Sequence, residues 1–388
     1  MTTKAIGKAL LASFLIAVAN AGTASAETIK IGVIAPLTGA AAKWGQASAG
    51  GPKLAADEIN ANGGLEVGGK KYDVEVIAYD DHHKAADAVA AYSRLVHQDN
   101  AKFVIVMASA ATLAIKQNVE DDKIIALTSS LTDKAFDEDT KYMFRLYSPP
   151  PEFLESFIAW MKDNMTERRI LVVNPNDETG WVQTDLSEKI YADNGFEVIG
   201  RRLYERSTQD FQALLTEIVA AAPEIIDLST TPPTTAGIIV RQARELGYKG
   251  TFVQTGAGSP YEIIAGAGNT ASEGIVSMVY ANPKNDGYRQ LVEKFHAQNG
   301  QAPDSIIVSF YDATNLLMKA IQDAGSPDDV DAIKQSFAKV VPVTSLQGDE
   351  LTMGGASKLG MDHQVMSVNY ISVIKNGEPT IVAKIRPS

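Results

Sequence analysis

The stretch Ile31-Gly-Val-Ile-Ala-Pro-Leu-Thr-Gly-Ala-Ala-Ala-Lys-Trp-Gly45 reads as a buried strand running into a glycine-punctuated loop, with a helical pattern behind it. A strand, loop and helix in this order open a parallel α/β sheet, and nucleotide-binding proteins cradle phosphates in that setting. The glycine spacing decides against phosphate. A P-loop needs Gly-x-x-x-x-Gly-Lys followed by Ser or Thr. Here Gly39 and Gly45 are six apart and Gln46 follows. The dinucleotide fingerprint Gly-x-Gly-x-x-Gly is absent too. The loop is then either a strand-end turn made by Pro36, Thr38 and Gly39, or the rim of a site for something else. Proline is tolerated in a first helical turn, so Pro52 predicts a regular helix starting near Gly51, with 45–50 as an irregular lead-in. That places Trp44 on the loop, beyond the carboxyl end of a strand, where ligands bind in open α/β sheets. Its indole either packs on an apolar ligand or anchors the loop.

The same alternation continues outward. Strands are predicted at Thr28–Ala35, Tyr72–Tyr79, Phe103–Val106 and Ile124–Leu127, with helices at Leu54–Ala61, Asp87–His97 and Ala111–Glu120 between them. Short apolar strands separated by helical patterns indicate βαβ units and a parallel sheet. After Ser148-Pro-Pro-Pro151 a second set begins. Its strands are Ile170–Val173, Phe196–Leu203, Ile225–Leu228 and Phe252–Gln254, and its helices include Gly180–Asp193 and Thr235–Leu246. Helical stripes at Tyr288–Phe295 and Ile306–Ile321 come with too few strands for a third sheet, so they are expected to cover an earlier one. Val365–Ile374, the turn Asn376-Gly377 and Thr380–Ile385 read as a hairpin. The fold class expected is α/β, with two Rossmann-like lobes of mostly parallel sheet joined by several chain crossings.

Residues 1–26 have the form of a signal peptide. Lys4 and Lys8 precede the apolar run Ala9–Ala19, and Ala24-Ser25-Ala26 is a small-x-small cleavage site. Nothing later is long and apolar enough to span a bilayer. The reading is an exported, unanchored protein of the periplasm. The chain has no cysteine, which removes disulfides and thiolate chemistry. Its formal net charge is −12, and −14 without the two lysines of the leader. No basic stripe alternates with aromatics, so nucleic acid is not an expected partner.

Catalytic patterns are missing. No Gly-x-Ser-x-Gly elbow occurs. The histidines at 82, 83, 97, 296 and 363 fall in no catalytic setting. Asp80-Asp81-His82-His83 has metal-ligand residue types, but adjacent side chains seldom converge on one ion, and the run reads as a solvated strand end. Neither an enzyme nor a metal or cofactor is expected. Hydroxyl-rich strand ends do stand out: Ser109 to Thr112, Thr128 to Thr132, and Ser229 to Thr231. Ser109 lies just before a predicted helix N-terminus, which favours an anion. Ordinary N-capping explains each of these singly, though not the repetition.

These residues bring the chain close to a known family. Ile31–Gly39 with Trp44-Gly45, Ala55-Ala-Asp-Glu-Ile-Asn-Ala-Asn-Gly-Gly64, Tyr79-Asp-Asp81, Ser109–Thr112, Thr128–Thr132 and Arg241-Gln-Ala-Arg-Glu-Leu-Gly247 resemble the periplasmic binding proteins for leucine, isoleucine and valine and their amide-binding relatives. The likeness covers essentially all of residues 27–388. It implies a type I solute-binding protein of an ABC importer, a monomer that closes on its ligand and presents it to the permease. It implies three hinge crossings, placed near Leu146–Ser148, Ala281 and Leu346. The first lobe is then 27–146 with 281–345, and the second 147–280 with 346–388. By the same likeness the ligand carboxylate meets Ser109, Ser130 and Thr132, Trp44 is the ligand-facing aromatic, and Thr179 stands in place of a family tyrosine. One departure is chemical. Gly256 lies near the place of the acid that takes an α-ammonium, and a buried ammonium without a counter-charge is costly. Either the ligand is a carboxylate without an α-amino group, such as an aromatic acid, or Glu262 substitutes, or Gly256 and Gly258 leave room for a bulkier ligand. A sensor subunit of the same fold is the alternative to transport.

Overall fold

The computed structural model describes residues 27–387. The proposed signal peptide lies outside them. The chain builds two mixed but mostly parallel sheets, each covered by helices. The first has nine strands in the order Val343–Thr344, Glu350–Gly354, Gln364–Met366, Met143–Arg145, Ile125–Thr128, Phe103–Val106, Glu27–Ala35, Lys70–Asp80 and Leu65–Val67. The second has seven: Glu378–Ile385, Asn369–Lys375, Val276–Val279, Thr251–Gln254, Ile225–Asp227, Arg169–Pro175 and Glu197–Tyr204. The central strands of both pair in parallel. In the first sheet Phe103–Val106 is a continuous, fully buried apolar run, and Ile125–Thr128 is apolar up to its last residue.

The first helix departs from expectation. It runs unbroken over Ala42–Ala61 with Pro52 inside it, and Trp44 sits in its first turn rather than on a loop. Packing outweighs the proline. At Gly51 a Cβ would stand 2.8 Å from the Ile307 carbonyl, and at Gly50 2.2 Å from the Phe295 ring. Without side chains there, the helix lies directly on the helices Asp286–Asn299 and Ile307–Ala324. Those two late helices therefore belong to the first lobe.

The chain leaves the first sheet after Arg145, returns after Val279 and leaves again after Met366. The third passage lies well beyond Leu346, where the sequence reading put it. Residues 346–366 supply edge strands of the first sheet, so their assignment to the second lobe is corrected. The passage was hidden inside one apparent strand, Val365–Ile374. It divides at Ser367, whose N–H donates to Ser148 Oγ (3.1 Å) while Ser148 N–H donates to Ser367 Oγ (3.2 Å). That reciprocal pair ties the first and third passages together.

Asp312 sits beside these passages, half-buried on the helix Ile307–Ala324, and accepts the Leu346 N–H at 2.8 Å. Burial pushes its carboxyl up to about 7. A carboxyl whose folded pKa is raised costs nothing below its unfolded value near 4. Its penalty grows as pH climbs through the window from about 4 to 7. Asp312→Asn keeps the acceptor oxygen, so it is expected to stabilise the protein by about 1–2 kcal/mol at pH 8 and by nothing at pH 4. Thermal unfolding at the two pH values checks this, and an equal effect at both would refute it.

Candidate ligand-binding site between the lobes

The carboxyl ends of the strands in both sheets face one another across a narrow cavity between the lobes. From the first lobe, Trp44, Met107, Ser109 and Leu131 line it; from the second, Thr179, Arg206, Thr230 and Ala257 do. Tyr147 and Tyr280, from the first two passages, line it as well. Its wall is apolar and aromatic with a few polar groups, which is the usual make-up of a small-molecule site.

The lobes are closed on one another. Trp44 Nε1 donates to Ser259 Oγ at 3.3 Å, and the Ser259 hydroxyl donates onward to Asp304 Oδ2 at 2.6 Å. Ser259 is on the second lobe, whereas Trp44 and Asp304 are on the first. Burial pushes the Asp304 carboxyl up to about 6. Thr132 Oγ1 donates to Glu178 Oε1 at 3.1 Å, again across the cleft, and Lys134 Nζ lies 2.9 Å from the same oxygen. Thr132→Val keeps the shape and removes the first of these bonds. It is expected to weaken ligand binding by about 1–2 kcal/mol by depleting the closed form. Calorimetry with an unchanged dissociation constant would count against it.

The residues expected to hold the ligand separate into two groups. Trp44, Ser109 and Thr179 line the cavity. Ser109 is the first residue of the helix Ser109–Asp122, and its Oγ accepts the Leu131 N–H at 3.0 Å, leaving its own proton to donate. The first-turn N–H groups of that helix have no intrahelical partners. Ser130, Thr132 and Gly256 are buried off the lining. Ser130 N–H donates to Thr128 Oγ1, and its hydroxyl turns towards the Thr132 carbonyl at 3.5 Å. Gly256 leaves no space for a larger ligand. A Cβ there would meet the Ser229 carbonyl oxygen at 2.8 Å, so the glycine serves close backbone packing. Glu262 faces a second, neighbouring cavity, with Lys43 3.8 Å away.

Two polar side chains on the cavity were not anticipated. His83 belongs to the run read as a solvated strand end, yet its ring lines the site and its Nδ1 is buried without a partner. Burial, then the neighbouring Arg206 charge, pushes the imidazole well below its ordinary value, so it is neutral. Arg206 follows the strand Glu197–Tyr204. Its Nε donates to Asp177, and Asp177 Oδ1 accepts the Gly180 N–H at 3.1 Å, capping the helix Glu178–Asp193. Burial works against the Asp177 charge, but Arg206 outweighs it and holds the carboxylate below its usual range. Both terminal guanidinium nitrogens of Arg206 are buried and unpartnered. The one available signal was position. Both residues lie just past the carboxyl end of a strand.

Comparison with known proteins agrees with this architecture. A family model described as periplasmic binding protein matches residues 28–378. An amino acid binding protein of Pseudomonas aeruginosa is 29% identical over 358 residues, covering 90% of this chain and 92% of its own. The leucine binding protein LivK of Thermotoga maritima superposes with a TM-score of 0.78 at 25% identity, over 93% of this chain and 99% of its own. A solute binding protein of R. palustris in complex with benzoate superposes with a TM-score of 0.76 at 18% identity, over 93% and 97%. Among the described residues no helix is long and apolar enough to cross a membrane. Two interleaved α/β lobes closed over a cavity, and a family match over nearly all of residues 27–387, lead to one conclusion: the chain belongs to the periplasmic binding protein family.

Proposed function

We propose that the chain is the solute-binding component of an ABC importer, working in the periplasm. It takes a small carboxylate-bearing solute between its lobes and presents the closed form to the membrane permease. The observation that carries this reading is the cavity itself. It is lined by both lobes, its polar groups come from strand ends on either side, and Trp44 serves at once as cavity wall and as a bond across the cleft. A ligand seated there touches both lobes only when they are closed, so binding draws the population to the closed form. The first-turn N–H groups at Ser109 and the Ser109 hydroxyl suit an anionic oxygen. The indole and the two tyrosines suit an apolar body.

The test joins two measurements on the purified protein. A thermal-shift screen of amino acids, amides and organic acids is expected to find solutes that raise the melting temperature by mass action. Small-angle scattering is then expected to give a smaller radius of gyration with the solute than without. A solute that binds without compaction, or that is chemically converted, would sink the proposal.

A further inference from the structure

We infer that Arg206 of the second lobe, together with His83 of the first, receives an anionic group of the ligand, and that the cavity therefore selects organic acids lacking an ammonium. This rests on the solute-binding reading above and narrows its ligand.

Two arginines in the molecule allow the comparison that decides it. Arg145 is fully buried in the first lobe, and both of its terminal nitrogens have acceptors: Gln364 Oε1 at 2.9 Å for one, the Thr132 carbonyl at 2.9 Å and Asp133 Oδ1 at 2.8 Å for the other. Only its Nε lacks an acceptor, so the terminal fork is held for structure. Arg206 makes its single bond through Nε, to Asp177, and both terminal nitrogens stand buried without an acceptor on the cavity. Buried donors left unmade are expensive, and a guanidinium offers a planar fork that matches a carboxylate. Asp177 fixes the direction of that fork from behind. Both of its oxygens are occupied, by Gly180 N–H and by Arg206 Nε. His83, which lines the cavity from the first lobe, has its Nε2 3.9 Å from Asp177, beyond hydrogen-bond reach, and its Nδ1 buried without a partner.

No aspartate or glutamate lines the cavity among the described residues. Facing the ligand are one guanidinium, a neutral imidazole, phenols, hydroxyls and the positive end of a helix. An α-amino acid would leave its ammonium against these groups without a counter-charge. An acid with an apolar ring or chain and no ammonium meets donors at its oxygens and Trp44, Tyr147 and Tyr280 along its body.

The test is calorimetry on the full chain with L-leucine, L-phenylalanine, benzoate, phenylacetate and benzamide, beside the variants Arg206→Met and Arg206→Lys. The acids are expected to bind, and the amino acids and the neutral benzamide are not. Arg206→Met is expected to lose about 100-fold or more in affinity for the acid, and Arg206→Lys, which keeps the charge without the fork, to lose less. The melting temperature of each variant without ligand shows that it is folded. Tight binding of leucine or phenylalanine, or acid binding unchanged in a folded Arg206→Met, overturns the inference and leaves the solute-binding reading standing. A wild-type chain that binds no solute of any of these classes overturns both.

Discussion

Gly45→Ala is expected to destabilise the protein by about 2–4 kcal/mol, and Gly180→Ala by a similar amount. The sign is the informative part. Alanine in place of glycine inside a helix normally gains about 1 kcal/mol. Here a Cβ on Gly45 would stand 2.0 Å from the Pro36 carbonyl oxygen, and one on Gly180 1.9 Å from the Pro175 carbonyl oxygen. The obstacle in each case is backbone. Around Pro36 it is further pinned, since Leu37 N–H and the Thr38 hydroxyl donate to the Asp80 carboxylate at 3.0 and 2.6 Å. The two glycines occupy the same place in the two lobes: the opening turn of the helix after the first strand, pressed on the carbonyl of the proline that closes or follows that strand. Urea unfolding curves decide the matter, and a raised midpoint in either variant would show that the helix can move away without cost.

Arg145→Met is expected to lower stability by about 2–4 kcal/mol. Methionine fills much of the volume, so the loss is polar. It orphans the buried acceptor Gln364 Oε1, worth about 1–3 kcal/mol when left unpaired, and leaves the Thr132 carbonyl with only the 3.5 Å bond from the Ser130 hydroxyl. Asp133 matters less because its side chain is 62% exposed and water takes over. Gln364 also donates to Glu152 Oε2 at 2.8 Å, beside the first passage between lobes, so the damage reaches the hinge. Arg145→Lys reaches fewer acceptors and is expected to recover only part of the loss. Full recovery by lysine would mean that charge alone, and not the fork, holds this corner.

Much of the architecture was legible in the sequence because buried parallel strands are continuous apolar runs. Phe103–Val106 appears with the bounds its pattern suggested, and the strands of both sheets differ from expectation mainly at their ends. What escaped was set by distant contacts. The helix Ala42–Ala61 begins without a side-chain cap, so no local signal marked its start against the weight of Pro52. The edge strands Val343–Thr344 and Glu350–Gly354 are short and partly exposed, and their place beside Gln364–Met366 follows from pairing alone. In the site, the hydroxyls at strand ends drew the eye, and Ser109 and Thr179 do line the cavity. Ser130 and Thr132 share the pattern yet serve the backbone and the opposite lobe. Arg206 and His83 carry no motif, and only knowledge of where their strands end gives them meaning.

The late return of the chain to its first sheet has a kinetic consequence. Gln364–Met366 pairs beside Met143–Arg145, and the bond from Arg145 to Gln364 spans 219 positions. Closing so distant a pairing is slow compared with forming local helices. Neither sheet acquires its full set of strands until residues far along the chain have joined it, since the second also needs Asn369–Lys375 and Glu378–Ile385. No single cut in the chain releases an intact lobe. The two halves must mature as one cooperative unit, with the strands near the C-terminus setting the pace.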